Sequence, residues 1–287
     1  MTAGTLHTCG ITTAGTTYCW GANDHGEIGV EPRAQCGASR CTLEPTVAAA
    51  GLSFVQVAAG ASRSCGLTAS GRAYCWGLGD LGDAALANQS VAPLLVSTDS
   101  TFVQLTTGSF HTCALTRSGA AYCGGLNSHG QIGDGTVTRR PVTVLAGDTL
   151  RFRRLAAGGE HTCGVALNNS LHCWGNNQWG QLGIGDVVWN TPGVYRTRPA
   201  AVGTTRSWST VTASYSHTCA ITTLREAFCW GDNGNAHVLG DETTVTYRGV
   251  PTRVAGGIPF DTRRAGAAGL SRAPRRRSTS QTYRPRA

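Results

Sequence analysis

The segment His161-Thr162-Cys163-Gly164-Val165, then Leu171-His172-Cys173-Trp174-Gly175, then Asn177-Gln178-Trp179-Gly180-Gln181-Leu182-Gly183 decides the fold. Its first part recurs as His7-Thr8-Cys9, Arg63-Ser64-Cys65, His111-Thr112-Cys113 and His217-Thr218-Cys219, each with an aliphatic two residues on. The second recurs as Tyr18-Cys19-Trp20-Gly21, Tyr74-Cys75-Trp76-Gly77, Tyr122-Cys123-Gly124-Gly125 and Phe228-Cys229-Trp230-Gly231. A period of about fifty residues means one supersecondary unit used five times. Apolar and small residues alternating on both sides of a short polar turn suit an antiparallel hairpin and no helix. If Cys9 faces Cys19, Ile11 faces Thr17 and Thr12 faces Thr16, leaving Thr13-Ala14-Gly15 as a three-residue loop with glycine at its left-handed position. Facing residues have Cα atoms about 4.5–5.5 Å apart, within disulfide reach. Each repeat can therefore close its own bridge: Cys9 to Cys19, Cys65 to Cys75, Cys113 to Cys123, Cys163 to Cys173, and Cys219 to Cys229.

A loop Gly-x-Asn-x-x-Gly-x-Ile/Leu-Gly follows the hairpin at 21–29, 125–133 and 175–183. Glycines at fixed offsets call for positive φ, and Ile28, Ile132 and Leu182 plug the loop to the core. The second copy has decayed to Gly77-Leu78-Gly79-Asp80-Leu81-Gly82, and the fifth carries one extra residue before Leu239-Gly240. A proline then opens a short strand at Pro93, Pro141 and Pro251, and Phe54, Phe102 and Phe152 each open a last one. Four short strands per repeat predict an all-β chain, a β-propeller of five four-stranded blades over residues 1–260. Blade one lacks its Phe strand, so the ring is incomplete unless Phe260 onward supplies it.

All 24 basic residues are arginine, and the formal charge is +8. Arg263, Arg264, Arg272, Arg275, Arg276, Arg277, Arg284 and Arg286 lie after residue 260 with one acid, Asp261. Residues 1–260 thus hold sixteen Arg against fifteen acids, and nucleic-acid binding is expected at most from the basic, disordered tail 261–287. Its Arg, Ala and Pro content would also arise from a shifted reading frame near residue 262. No apolar run is long enough to span a bilayer. Twelve cysteines, ten of them at one Cys-x9-Cys spacing, point to an oxidising, extracellular or cell-surface location. No apolar leader follows Met1, so the export address lies upstream, or the thiols stay reduced in the cytoplasm.

The motifs Phe-x-x-Val-x-x-Gly, His-Thr-Cys-x-Leu-Thr, Tyr-Cys-Trp-Gly and Asn-x-x-Gly-Gln-Leu-Gly resemble the repeat of the regulator of chromosome condensation family, over residues 3 to about 260. The paired cysteines look like those of secreted bacterial members. The resemblance implies a propeller, typically seven-bladed, whose members serve as nucleotide-exchange factors for a small GTPase, inhibitors or docking platforms. The shared fold does not choose among these.

His7, His111, His161 and His217, each two residues before a cysteine, suggest zinc sites, but no fourth ligand keeps a fixed spacing and Arg63 replaces one histidine. They read as blade-packing residues, as do Trp20, Trp76, Trp174 and Trp230. Asp134, Asp186 and Asp241 follow the glycine loops and serve turns, without the oxygen density that calcium requires. No hydrolase, nucleotide-loop or metalloprotease signature is present, which favours a non-enzymatic, monomeric protein-binding scaffold without a cofactor. Function is expected where the repeat is broken. First cysteines are 56, 48, 50 and 56 residues apart, so repeats one and four carry insertions, both after the glycine loop and on one face. The first holds Arg33, Cys36, Arg40 and Cys41, with a Cys36 to Cys41 bridge closing a tight loop. The second holds Trp189, Tyr195, Arg196 and Arg198. Aromatic and arginine side chains on rigidly mounted loops are the material of binding hot spots.

Overall fold

The computed structural model describes residues 1–80, 89–96, 99–186, 193–203, 205–234 and 237–260. Blade 1 contains β1 (Thr2–Ala3), β2 (His7–Ile11), β3 (Thr17–Ala22), β4 (Ala34–Cys36) and β5 (Ser39–Val47), in the order β1-β2-β3-β5-β4. Blade 2 is β6 (Phe54–Ala59), β7 (Arg63–Thr68), β8 (Ala73–Leu78) and β9 (Gln89–Leu95), and blade 3 is β10 (Phe102–Thr107), β11 (His111–Thr116), β12 (Ala121–Gly125) and β13 (Arg140–Ala146). Blade 4 is β14 (Phe152–Ala157), β15 (His161–Ala166), β16 (Leu171–Asn176) and β17 (Tyr195–Ala201), and blade 5 is β18 (Trp208–Ala213), β19 (His217–Thr222), β20 (Ala227–Asp232) and β21 (Tyr247–Arg253). Blades 2 to 5 are antiparallel meanders, and blade 1 departs from this by pairing β5 with β3 and carrying β4 on its outer edge. The first strand of every blade lines a common axial cavity.

The hairpin register is the one the spacing predicts. Cys9 opposes Cys19 and Ile11 opposes Thr17, the Thr12 amide donates to the Thr16 carbonyl at 2.9 Å, and Gly15 sits at φ 83°. In all five blades the facing cysteines are bridged, with Cα atoms 4.1 Å apart. Cys36 and Cys41 form the sixth bridge, and no cysteine is free.

Two expectations need correction. Blade 1 has five strands, not four, because its insertion folds into β4 and pairs with β5 around Gly37. The prolines do not open their strands: β9, β13 and β21 begin at Gln89, Arg140 and Tyr247. Each outer strand carries a bulge opposite the residue after the second cysteine, and Pro93 and Pro251 lie within it, where an edge strand needs no ladder N–H. In blade 5 the innermost strand opens with Trp208 instead of Phe; its ring packs on Phe228 and Trp230. The Phe260 amide donates to the Arg225 carbonyl at 3.1 Å, as the Phe152 amide does to Gly119 at 2.8 Å, so Phe260 stands where a following innermost strand starts. The tail 261–287 lies outside the described residues.

The repeated His, Thr and Trp side chains join one blade to the next. His111 Nε2 and Thr162 Oγ1 are 2.8 Å apart across the boundary of blades 3 and 4. Thr162 Oγ1 donates to the Gln131 carbonyl in the glycine loop of blade 3 at 2.8 Å, and Trp174 Nε1 donates to the same oxygen at 3.0 Å. Because the hydroxyl proton is committed to that carbonyl, the hydroxyl accepts from His111 Nε2–H, and burial, which keeps the ring neutral, makes this the Nε2–H tautomer. The same latch joins blades 1 and 2 through His7, Ser64, Glu27 and Trp76, and blades 4 and 5 through His161, Thr218, Gln181 and Trp230. The imidazole takes the space of a missing Cβ: one added to Gly108 would lie 2.4 Å from His111 Cε1.

Blades 2 and 3 lack the latch. Arg63 replaces the histidine, Gly124 replaces the tryptophan and the loop of blade 2 has decayed, three departures that fall on one boundary. Arg63 is buried and donates from Nη1 to the Asp80 carbonyl at 3.1 Å, while the Asp80 carboxylate receives Arg139 Nε of blade 3 at 2.6 Å. An ion pair thus stands where a neutral relay joins the other blades. No latch connects blade 5 to blade 1 among the described residues.

These contacts fix three outcomes. Thr162→Val keeps the volume but strands His111 and removes one bond to Gln131, and should cost about 2–3 kcal/mol in urea unfolding. Burial pulls the His7 ring down to about 4 and the His111 and His161 rings down to about 3, so the folded state binds fewer protons than the unfolded chain. Stability should be full above pH 6.5 and fall as pH drops toward 4, by about 1.4 kcal/mol per unit and histidine; urea titrations at pH 7.5 and 5 measure the difference. Replacing Cys163 and Cys173 together by Ala opens a bridge with sequence separation 10 and should cost about 2–3 kcal/mol.

Candidate functional site

Antiparallel meanders put alternate connections at opposite ends of the ring. The turns from first to second strand (at Gly4, Gly60, Gly108, Gly158 and Ser214) and the glycine loops share one end, here the loop face. The hairpin turns at Gly15, Gly71, Gly119, Asn169 and Arg225 share the other, the turn face. Both insertions therefore emerge on the loop face, as the sequence requires.

The glycine loops are rigid mounts. In blade 3, Asn127 Oδ1 accepts from the Ile132 amide at 3.0 Å while its Nδ2 donates to the Thr138 carbonyl at 3.0 Å. Asn23, Asn177 and Asn233 repeat this in blades 1, 4 and 5. Gln131 Oε1 accepts from the His129 amide at 2.9 Å, and Gln181 Oε1 from the Trp179 amide at 2.9 Å. The loop tips thus carry His129 and Trp179 at fixed positions. Trp179 falls inside the repeated loop, where the sequence marks no departure from the repeat.

In the first insertion, Arg40 is tied down: its amide and guanidinium bond to Asp24, whose carboxyl is held below the usual carboxylate range chiefly by that amide. Arg33 is exposed on the hairpin that Cys36–Cys41 closes. Trp189 lies outside the described residues. Tyr195 is half-buried, with its ring edge-on to His129 at 6.4 Å, between blades 3 and 4.

Arg196 is not a departure from the repeat. It opposes Gly175 and pairs with Asp186, as Arg140 opposes Gly125 and pairs with Asp134, and Arg248 opposes Gly231 and pairs with Asp241. These clamps hold the glycine loop to the outer strand, with Thr136 and Thr243 completing the turns at Asp134 and Asp241. The turn role of Asp134 and Asp241 follows from this geometry. Arg198 pairs with Asp148 in the connection entering blade 4. Arg196 and Arg198 are therefore spoken for, and of the arginine candidates Arg33 alone presents an unengaged side chain.

The first turns of blades 1, 3 and 5 each expose a large apolar side chain on the loop face. Leu6 is 68% exposed, Phe110 40% and Tyr215 70%. Their turns, with those of blades 2 and 4, enclose a mouth of about 260 Å3. Of the three, Tyr215 lines the mouth; spacing could not reveal the set, because its members lie about a hundred positions apart and share a face only through the stacking of blades. Glu160 stands beside it on the turn of blade 4 and accepts from Asn176 Nδ2 at 2.9 Å. Among the described residues no group of three or more His, Cys, Asp or Glu could hold a metal ion, and no helix is long and apolar enough to cross a membrane.

Comparison with known proteins gives the same architecture. A solved structure, that of human WBSCR16, superposes with a TM-score of 0.76 at 21% identity over 90% of this chain and 67% of its own. Prp20p of Saccharomyces cerevisiae, described with its binding properties to Gsp1p and histones, gives a TM-score of 0.74 at 21% identity over 91% and 66%. Both likenesses concern the fold alone. A curated relative, the probable E3 ubiquitin-protein ligase HERC4 of Rattus norvegicus, is 30% identical over 90 residues, 31% of this chain and 8% of the relative. The chain thus spans less than a tenth of that relative. The model of the Regulator of chromosome condensation (RCC1) repeat matches residues 1–27, 54–83, 102–131, 152–181 and 208–236, each stretch running from an innermost strand into a glycine loop, and a second model of that repeat matches 118–165 and 168–221. This chain belongs to the regulator of chromosome condensation (RCC1) repeat family.

Proposed function

We propose that this chain is a non-enzymatic, extracytoplasmic protein-binding scaffold whose partner docks on the loop face, over the axial rim of Leu6, Phe110 and Tyr215 and the hairpin bearing Arg33. The rim carries this reading. The buried polar residues of the repeat are committed to joining blades, whereas these apolar groups are exposed on equivalent turns of one face, as hot-spot residues are before binding. Six bridged cysteine pairs support an oxidising compartment. The half-buried Tyr195 beside His129 extends the surface outward, and Trp189 in the same insertion is a second candidate contact.

A photo-crosslinking residue placed at Phe110 or Tyr215 in cells should give a discrete protein adduct, and one placed at Val250 on the outer edge of blade 5 should not. Tyr215→Ala should weaken capture of that partner at least about tenfold, the loss typical of an interface anchor, without lowering the unfolding midpoint. Equal adducts at all three positions would count against the rim. The rival reading, nucleotide exchange on a small GTPase, rests on likeness of fold. Accelerated nucleotide release from a GTPase by the purified chain would establish it in place of the scaffold reading.

A further inference from the structure

Residues 1–260 are nearly neutral, but the fold does not leave their charges mixed. Most acids sit on the loop face or in its clamps. The turn face exposes Arg72, Arg117, Arg151, Arg153, Arg154 and Arg225 on blades 2 to 5. Its described acids are Asp99, Asp148 and Glu226, and Asp148 and Glu226 already pair with Arg198 and Arg253. This face is therefore strongly positive and surrounds the axial cavity of about 410 Å3, whose lining includes Arg153 and Arg154 and no acidic residue.

Arg154 is the informative member. At its position in the repeat, Gln56 accepts from the Leu105 amide at 3.0 Å and donates to the Leu105 carbonyl at 2.7 Å, stitching blade 2 to blade 3. Gln104 does the same to Leu155 of blade 4, at 3.1 and 2.7 Å. Arginine has no acceptor and cannot make this stitch to Val211 of blade 5. Between blades 4 and 5 the neighbouring Arg153 donates to the Trp208 carbonyl instead. Arg154 forms no hydrogen bond or ion pair among the described residues, and its guanidinium stands free in the wall of the cavity.

We propose that the turn face is a second binding site, for an acidic protein segment that also carries aliphatic side chains, with one carboxylate entering the axial cavity at Arg154. Charge complementarity selects an anion, and a guanidinium fork matches a carboxylate in a bidentate pair. Exposed aliphatics select a protein over a nucleic acid: Leu167 is 60% exposed, Leu224 79% and Val55 64% among these arginines, while the exposed aromatics Phe110 and Tyr215, which bases could stack on, lie on the opposite face. The site is independent of the loop-face rim and stands or falls separately.

The test uses the full chain with a fluorescein-labelled peptide of alternating Glu and Leu, read by anisotropy. Binding should weaken steeply as salt is raised, and Arg117→Gln should weaken it severalfold. Arg154→Gln should weaken it about tenfold, the loss of one charge-assisted pair. It should also raise the unfolding midpoint, because the glutamine can stitch to Val211 as Gln56 and Gln104 stitch to their neighbours. That pairing of weaker binding with greater stability separates a binding role from a folding defect. Unchanged affinity in both variants overturns the proposal, as does equal binding of single-stranded DNA of matched charge. Competition by unlabelled chain at the same site would assign the face to a second copy instead and overturn it too.

Discussion

A single hydroxyl group does much to hold this propeller together. Thr162, like Ser64 and Thr218, stands between a histidine and a loop carbonyl of the preceding blade, with a tryptophan of its own blade on that carbonyl. The arrangement works because each group is committed to one partner: the hydroxyl must donate to the carbonyl, so the imidazole must donate to the hydroxyl from Nε2. Burial keeps the ring neutral. A charged ring would be a donor at Nδ1 as well, and that atom has no partner in His7, His111 or His161. Neutral relays of this kind join blades without the desolvation cost that burying a charge carries.

The exception clarifies the rule. Between blades 2 and 3 the histidine, the loop and the tryptophan are all replaced, and Arg63, Asp80 and Arg139 take over. Loss of one member would leave the others buried and unpaired, so the members change together although they lie in two successive repeats. With the blades held this way, both ends of the ring are rigid platforms with different surfaces. The loop face is braced by asparagine-centred loops and arginine clamps and exposes an apolar axial rim; the turn face exposes arginines and aliphatics.

Much was legible in the sequence because the determinants are local. The facing of Cys9 and Cys19, the glycine turn at Gly15, the packing role of the histidines and tryptophans and the shared face of the insertions follow from period-two alternation and repeat length. Less of the candidate site was legible. Arg196 stands out in an insertion, yet it belongs to the same clamp as Arg140 and Arg248, which is visible only once each is seen opposite its glycine. Trp179 was hidden within a regular loop, and Trp208 by a pattern written for phenylalanine.

The sequence alone determined the blade: its strands, its bridge, its turns and its number of copies, because hairpin register depends on residues within about ten positions of one another. Tertiary structure decided how blades recognise each other and what they show to solvent. The latch draws its parts from two repeats, the apolar rim gathers Leu6, Phe110 and Tyr215 from three, and the near-neutral body becomes two faces of different charge. Residues so far apart are brought together by stacking of blades around an axis, and no local pattern records that.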